Sequence, residues 1–447
     1  VARSKEHRLA KSDILAHHVS PYDRLSWSDA LVEELLASGE HRRELENFFG
    51  ASEYRELVAL VRAARNAAVA ARAVRVIIVP GIMGSQLGLA RRAPLPHDIL
   101  WIDPVDIAAG RLELLKPAPD DGVVSLGVVL YTYLRLKLHL QAAGFDCVFH
   151  DYDWRLGVDV LGQALAERLR RETAKRVMLV AHSMGGLVSR AALAMPGCGR
   201  VERVVLLGTP NFGSFAPVQA LRGTYAVVRK IARLNQEHSA EWLAEKVFNA
   251  FPSLYHLLPP PGHSAGIDLF DPAEWPQSGP RPRTGLLAAA RPLARRLAAA
   301  DERFVVIAGV NQETVTAVAR RRDDFVYTIT RNGDGTVPTD QALLPRARTY
   351  FTSAAHSELT RDHGVARAVA DLLRSGRTRR LPSRRTAASR AEARISDRQL
   401  RHTQIPKVDW SALPPTARRI FLQSLNEPPA LKLQLPARRA RGAPSKR

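Results

Sequence analysis

Cysteine is nearly absent. Among 447 residues only Cys147 and Cys198 carry a thiol. Two thiols cannot make a disulfide framework or a Cys-rich metal site, and both are read as reduced and partly buried. Long apolar runs are missing too. No stretch approaches the ~18 apolar residues of a membrane-spanning helix. The start, Val1-Ala2-Arg3-Ser4-Lys5-Glu6-His7, is charged where a secretory signal would be apolar. The expected location is therefore cytoplasmic or peripheral to a membrane. Nucleotide and metal signatures are lacking as well. Gly81-Ile82-Met83-Gly84 has neither the Lys-Ser/Thr of a phosphate loop nor the spaced glycines of a dinucleotide fingerprint. No pair of histidines has zinc-ligand spacing. The sequence thus predicts no cofactor and no metal.

Acidic residues are in deficit: 44 Asp+Glu stand against 65 Lys+Arg, a net charge of +21. The excess is not spread evenly. After Leu373 there are 19 Lys/Arg and 4 Asp/Glu, so +15 lies in the last 74 residues. A nucleic-acid partner is disfavoured, because the tail offers only Trp410 and Phe421 as aromatics and no recognisable binding fold. Attraction of this basic tail to an anionic membrane surface is the expected peripheral contact.

The hydrophobic pattern divides the chain. Residues 1–73 read as a helical N-terminal extension, in which Leu31, Leu35 and Leu36 share a face, Ser26 or Ser28 caps and Gly39 terminates. From Val74 short β-branched runs appear at Val74–Val79, Cys147–His150, Val177–Val180, Val204–Leu207 and Phe304–Ile307. Helical segments such as Gln163–Ala174 and Gly186–Met195 lie between them. Continuous apolar strands alternating with helices predict a mostly parallel sheet covered on both faces. Phe325–Thr330 and Thr349–Thr352 add later strands. Between about 214 and 300 the strand rhythm stops, and the helical segments there read as a cap inserted in the 74–373 domain. Residues 374–447 read as a basic, largely disordered tail, with Pro415–Leu425 as a short helix. Deleting everything after Leu373 is therefore expected to leave the body of the protein working.

The sharpest chemical signal is Ala181-His182-Ser183-Met184-Gly185-Gly186, where a buried strand meets a helix. A nucleophilic Ser on such a tight turn needs small neighbours two residues to either side, here Ala181 and Gly185. Its hydroxyl needs a base, and the base needs an orienting acid. The acid is expected after the Ser and before the base. Asp334, between Gly333 and Gly335, fits better than Asp324 or Asp340. His356 lies a few residues beyond a strand and is favoured as base over His363. His97, His150 and His182 are read as structural. An oxyanion hole needs two amides aimed at the developing charge. Met184, next to Ser183, supplies one. The loop Val79–Ser85 supplies the other, from Ile82 or its neighbour Met83.

Seven motifs follow in order: Val79-Pro80-Gly81-Ile82-Met83-Gly84-Ser85-Gln86-Leu87, Trp101-Ile102-Asp103-Pro104, Tyr152-Asp153-Trp154-Arg155, Ala181–Gly186, Gly208-Thr209-Pro210-Asn211-Phe212-Gly213-Ser214, Gly333-Asp334-Gly335-Thr336-Val337-Pro338 and Ala355-His356-Ser357-Glu358-Leu359. Together, from about Arg75 to Leu373, they resemble the bacterial branch of the lecithin:cholesterol acyltransferase-like family of α/β-hydrolases. The resemblance departs at Ala181, where the family usually has Gly. It implies an α/β-hydrolase fold, a triad of Ser183, Asp334 and His356, and a loop-bracing role for Asp153-Trp154-Arg155. The function it implies is a serine hydrolase or acyltransferase acting on acyl esters, most simply lipids. A non-lipid carboxylesterase or thioesterase, or a catalytically silent binding module of the same fold, are the alternatives.

Overall fold

Six strands form an all-parallel sheet in the order β11-β8-β7-β6-β1-β5. They are β1 (Val74–Val79), β5 (Asp146–Phe149), β6 (Arg176–His182), β7 (Val201–Leu207), β8 (Phe304–Gly309) and β11 (Arg348–Thr352). The computed structural model describes residues 27–67, 74–92, 96–264, 266–385, 391–403 and 406–425. Along the strands successive side chains alternate between two cores. Ile77, Val79, Leu179, Ala181, Val204 and Leu206 enter one, and Val76, Ile78, Met178, Val180, Val205 and Leu207 the other. Burial on both faces is why these runs are continuously apolar rather than alternating.

Helices cover each face. On one side pack α1 (Asp29–Ser38), α2 (Arg42–Phe49), α3 (Ala51–Ala67), α5 (Leu130–Ala142) and α14 (His363–Ser375). On the other lie α6 (Val158–Arg171) and α7 (Met184–Leu193). The short α4 (Pro104–Ala108) also packs on this second core through Ile107. The expected helix ends are found, with Ser28 Oγ accepting from the Leu31 amide and Gly39 closing α1 at φ 82°. The shared face is Val32, Leu35 and Leu36, whereas Leu31 faces solvent. Residues 1–26 and 68–73 of the extension, including Ser26, lie outside the described residues.

Between β7 and β8 the chain forms the cap. Its helices are α8 (Ala216–Leu221), α9 (Ala226–Leu234), α10 (Ala240–Lys246), α11 (Pro252–His256) and α12 (Thr284–Ala290). The periodicity over 218–234 is broken at Gly223, which sits at φ 71° against the Ala240 backbone and separates α8 from α9.

Two small antiparallel sheets were not expected. One joins β2 (Ser85–Leu89), β3 (Asp98–Trp101) and β4 (Val123–Val128). The other joins β9 (Thr314–Arg321), β10 (Asp324–Thr330) and β12 (Glu392–Ser396). The Phe325–Thr330 strand therefore exists but lies outside the parallel sheet. Its burial alternates residue by residue, as a one-sided antiparallel strand requires. The short α13 (Thr339–Ala342) follows it.

The expectation of a largely disordered tail is corrected between residues 391 and 425. After β12 come α15 (Asp397–His402) and α16 (Pro415–Leu425), the latter as predicted. Ile395 and Leu400 pack against the core, and Trp410, Leu422 and Leu425 are buried in it. These few apolar residues are scattered through basic sequence, so composition averages them away. They dock on an edge, β10, and on cap surface that only the fold creates. Removal of everything after Leu373 would uncover both. Residues 386–390, 404–405 and 426–447 lie outside the described residues.

Candidate active site

The strand order reverses at β1: the chain leaves β1 for β5 and returns to β6 on the other side. In open α/β sheets ligands bind at such a switch point, beyond the strand C-termini. The two loops that meet there are 80–84, after β1, and the turn at Ser183, after β6.

Ser183 occupies φ 54°, ψ −127°, a region that non-glycine residues rarely adopt. The turn is held from below, since its amide donates to Leu207 O at 2.9 Å. The glycines that follow are required by contact. A Cβ on Gly185 would stand 2.4 Å from Pro80 O, and one on Gly186 2.0 Å from Thr209 Oγ1. Ala181 is fully buried between β1 and β7. Its methyl group is accommodated there, which explains why Gly is dispensable at that position.

His356 Nε2 lies 2.9 Å from Ser183 Oγ, and His356 Nδ1 lies 2.7 Å from Asp334 Oδ2. The other oxygen, Asp334 Oδ1, accepts from the amides of Thr336 at 2.9 Å and Val337 at 2.7 Å. The His356 amide in turn donates to Asp334 O at 2.8 Å. Both loops are thereby fixed to each other. All three residues are buried. Asp334 does not follow a strand of the main sheet directly. The β9–β10 hairpin is inserted after β8, and the chain returns so that a Cβ on Gly309, at the end of β8, would stand 2.3 Å from Asp334 Cβ.

The rival residues are elsewhere. His363 Nε2 pairs with Glu56 at 2.8 Å and its Nδ1 meets His139 Nε2 at 2.8 Å. Glu56, His139 and His363 are metal-type ligands that sequence spacing could not bring together, and here their ligand atoms cluster. Asp324 lies against Arg401, and Asp340 pairs with Arg385 at 2.7 Å. His97 accepts from the Arg91 amide, and His150 contacts Arg168. Burial, with Arg168 nearby, pushes His150 down to about 4.

Loop 80–84 crowds the Ser, with Gly81 so near that a Cβ there would meet Ser183 Cβ at 2.8 Å. Ile82, Met83 and Gly84 line the same cavity as Ser183 and His356. Met184 begins α7, where first-turn amides have no intrahelical partner. The Asp153-Trp154-Arg155 run braces this region. Arg155 donates to Asp153 and Asp121 and to Leu115 O, while Trp154 Nε1 donates to Ser85 O at 3.0 Å. Trp154 also borders the cavity.

Sequence reading missed one participant. Tyr133, on α5, accepts from the Gly81 amide at 2.8 Å and lies 3.0 Å from His182 Nδ1. His182 Nε2 lies 3.0 Å from His356 O. Tyr133 sits in an unremarkable apolar helix with no motif around it, so nothing in the sequence pointed to it. Both cysteines are free and buried.

Beneath the cap the cavity is apolar. Val227, Val228, Phe248, Phe251, Leu254 and Leu257 line it together with Ser183 and His356. No helix among the described residues is long and apolar enough to cross a membrane.

Residues 160–251 match the family described as PGAP1-like alpha/beta domain. An uncharacterized protein of Saccharomyces cerevisiae is 27% identical over 150 residues, which covers 29% of this chain and 23% of the yeast protein. The chain thus aligns with less than a quarter of that relative's length. Among solved structures, a chain of the Tle4–Tli4 complex is 14% identical with a TM-score of 0.42, covering 67% of this chain and 98% of that one. The mature Bacillus licheniformis lipase BlEst2 is 17% identical with a TM-score of 0.34, covering 67% and 90%. A mostly parallel sheet with helices on both faces, a helical cap after β7 and a Ser on the β6–α7 turn make this an α/β-hydrolase fold.

Proposed function

We propose that the protein is a serine hydrolase of acyl esters that works through an acyl-Ser183 intermediate. The observation that carries this reading is the unbroken hydrogen-bonded line from Ser183 Oγ through His356 to Asp334. Ser183 Oγ attacks the ester carbonyl carbon while its proton passes to His356 Nε2. The carbonyl π pair moves onto oxygen, to which the amide N–H groups of Ile82 and Met184 donate hydrogen bonds. Asp334 stabilises the imidazolium and fixes the tautomer that presents Nε2 to Ser183. Collapse expels the alcohol, which takes the proton from His356. Water, or an acceptor alcohol in a transferase, then enters by the same steps in reverse.

The apolar lining under the cap supports a fatty acyl group, and hence a lipid substrate. The ordered motifs support a place among the lecithin:cholesterol acyltransferase-like hydrolases. The basic residues after Leu373 support peripheral contact with an anionic membrane; binding to anionic vesicles that survives their substitution by uncharged residues would count against it.

A panel of p-nitrophenyl esters of increasing acyl length tests the reading. Turnover is expected to favour medium or long chains over acetyl and to vanish in Ser183→Ala. Equal turnover by Ser183→Ala would contradict it.

A further inference from the structure

Three donors form a directed relay beside the triad. The Gly81 amide points at Tyr133 Oη, Tyr133 Oη at His182 Nδ1, and His182 Nε2 at His356 O. The directions are forced. A carbonyl oxygen only accepts, so His182 Nε2 carries the proton and Nδ1 is bare. Tyr133 already accepts from Gly81, so its own hydrogen goes to Nδ1. The His356 amide then continues the line to Asp334 O. Four separate parts of the chain are joined: the loop after β1, helix α5, the Ser turn, and the loop after β11.

We propose that Tyr133 and His182 are positioning residues, which hold the oxyanion loop and the His356 loop in one register around Ser183. The inference rests on the reading of Ser183 as nucleophile. Gly81 immediately precedes Ile82, so anchoring the Gly81 N–H fixes one end of the short segment that carries the Ile82 amide. There is no slack in this approach, given the 2.8 Å that a Gly81 Cβ would leave to Ser183 Cβ. His182 likewise fixes the backbone of the base itself.

The relay also has to be electrically quiet. The His182 and His356 rings have centroids 4.9 Å apart. A second cation there would oppose the imidazolium that forms during acyl transfer. Burial, reinforced by His356, pushes His182 down to about 3, so its ring stays neutral while His356 cycles. Tyr133 is buried too, which raises its phenol and keeps it a donor.

The test compares the parent protein with Tyr133→Phe, His182→Gln and His182→Leu. For each, the readouts are the rate of Ser183 labelling by a fluorophosphonate, kcat and KM on p-nitrophenyl butyrate, and the thermal midpoint. Gln can both donate to His356 O and accept from Tyr133, whereas Leu can do neither. Tyr133→Phe and His182→Leu are expected to slow labelling and kcat by roughly 10- to 100-fold, the scale of a misplaced reacting group, with KM within about twofold. His182→Gln should recover most of that loss. Labelling at the parent rate in Tyr133→Phe and His182→Leu would overturn the proposal, as would equal rates in His182→Gln and His182→Leu. If Tyr133→Phe does not fold, the Gln–Leu comparison decides. A parent protein that does not label at all would instead overturn the nucleophile reading, an outcome distinct from variants that label as fast as the parent.

Discussion

Arg222 Nε and Asp397 Oδ2 lie 2.7 Å apart, with both side chains wholly excluded from solvent. Arg222 follows cap helix α8, and Asp397 begins α15 in the C-terminal segment. The guanidinium also donates to the carbonyls of Ser278 and Pro280, and the carboxylate accepts from Tyr327 and Thr224. The C-terminal segment therefore ties the cap to the β9–β10 hairpin. Removing one partner of such a pair leaves a buried charge uncompensated, at a cost of about 3–5 kcal/mol. Asp397→Ala should lose that much in urea unfolding. A loss below about 1 kcal/mol would show that the segment does not anchor the cap.

Asp334 is expected to be intolerant of its closest isostere. One carboxylate oxygen takes two amides and the other takes His356. The Asn side chain has one acceptor oxygen, so it must either turn its NH2 towards the amides of Thr336 and Val337 or fail to accept from His356. Asp334→Asn should lower kcat by roughly 10³- to 10⁴-fold, as expected when the base is held in the wrong tautomer. Steady-state kinetics on a p-nitrophenyl ester measures this.

Gly81→Ala tests the closeness of loop 80–84 to Ser183. The added methyl would overlap Ser183 Cβ and must push the loop or Ser183 aside. A fall in kcat of about 100-fold is predicted. Gly39→Ala is the control for a glycine with open space around it; its strain at φ 82° should appear in the thermal midpoint and not in kcat.

Acid should weaken the fold before the carboxylates titrate. His150 and His182 are pushed down to about 4 and about 3 by burial. In the unfolded chain each takes up a proton near pH 6.5, and the folded protein refuses it until the lower value. Their contribution is therefore complete above about pH 6.5 and declines as pH falls towards those values. Between pH 7 and 5 each should remove on the order of 2 kcal/mol. Urea midpoints across that range should fall, and His150→Gln should make the fall shallower by about one proton. An unchanged slope would show that His150 is not held neutral.

The parallel strands and the tight turn at Ser183 were legible because each is dictated locally. Val74–Val79 is apolar on both sides, and Ser183 has small neighbours that its turn cannot do without. Asp334 and His356 were readable only as a set with Ser183, through their order in the chain. What escaped depends on partners distant in sequence. Phe325–Thr330 reads as a strand, but its antiparallel partners, Thr314–Arg321 and Glu392–Ser396, decide its sheet. Tyr133 acts through contacts 52 and 49 residues away. The tail has the composition of a disordered segment, yet Ile395, Trp410 and Leu425 find ready-made surface to cover.

Trapping the intermediate tests the central claim most directly. Protein mixed with a p-nitrophenyl ester, quenched in acid within the first turnover and digested, should yield the peptide containing Ser183 heavier by one acyl group. The adduct should be absent in Ser183→Ala. An acyl group found on another residue, or a first-turnover release of p-nitrophenol by Ser183→Ala equal to that of the parent, would contradict it.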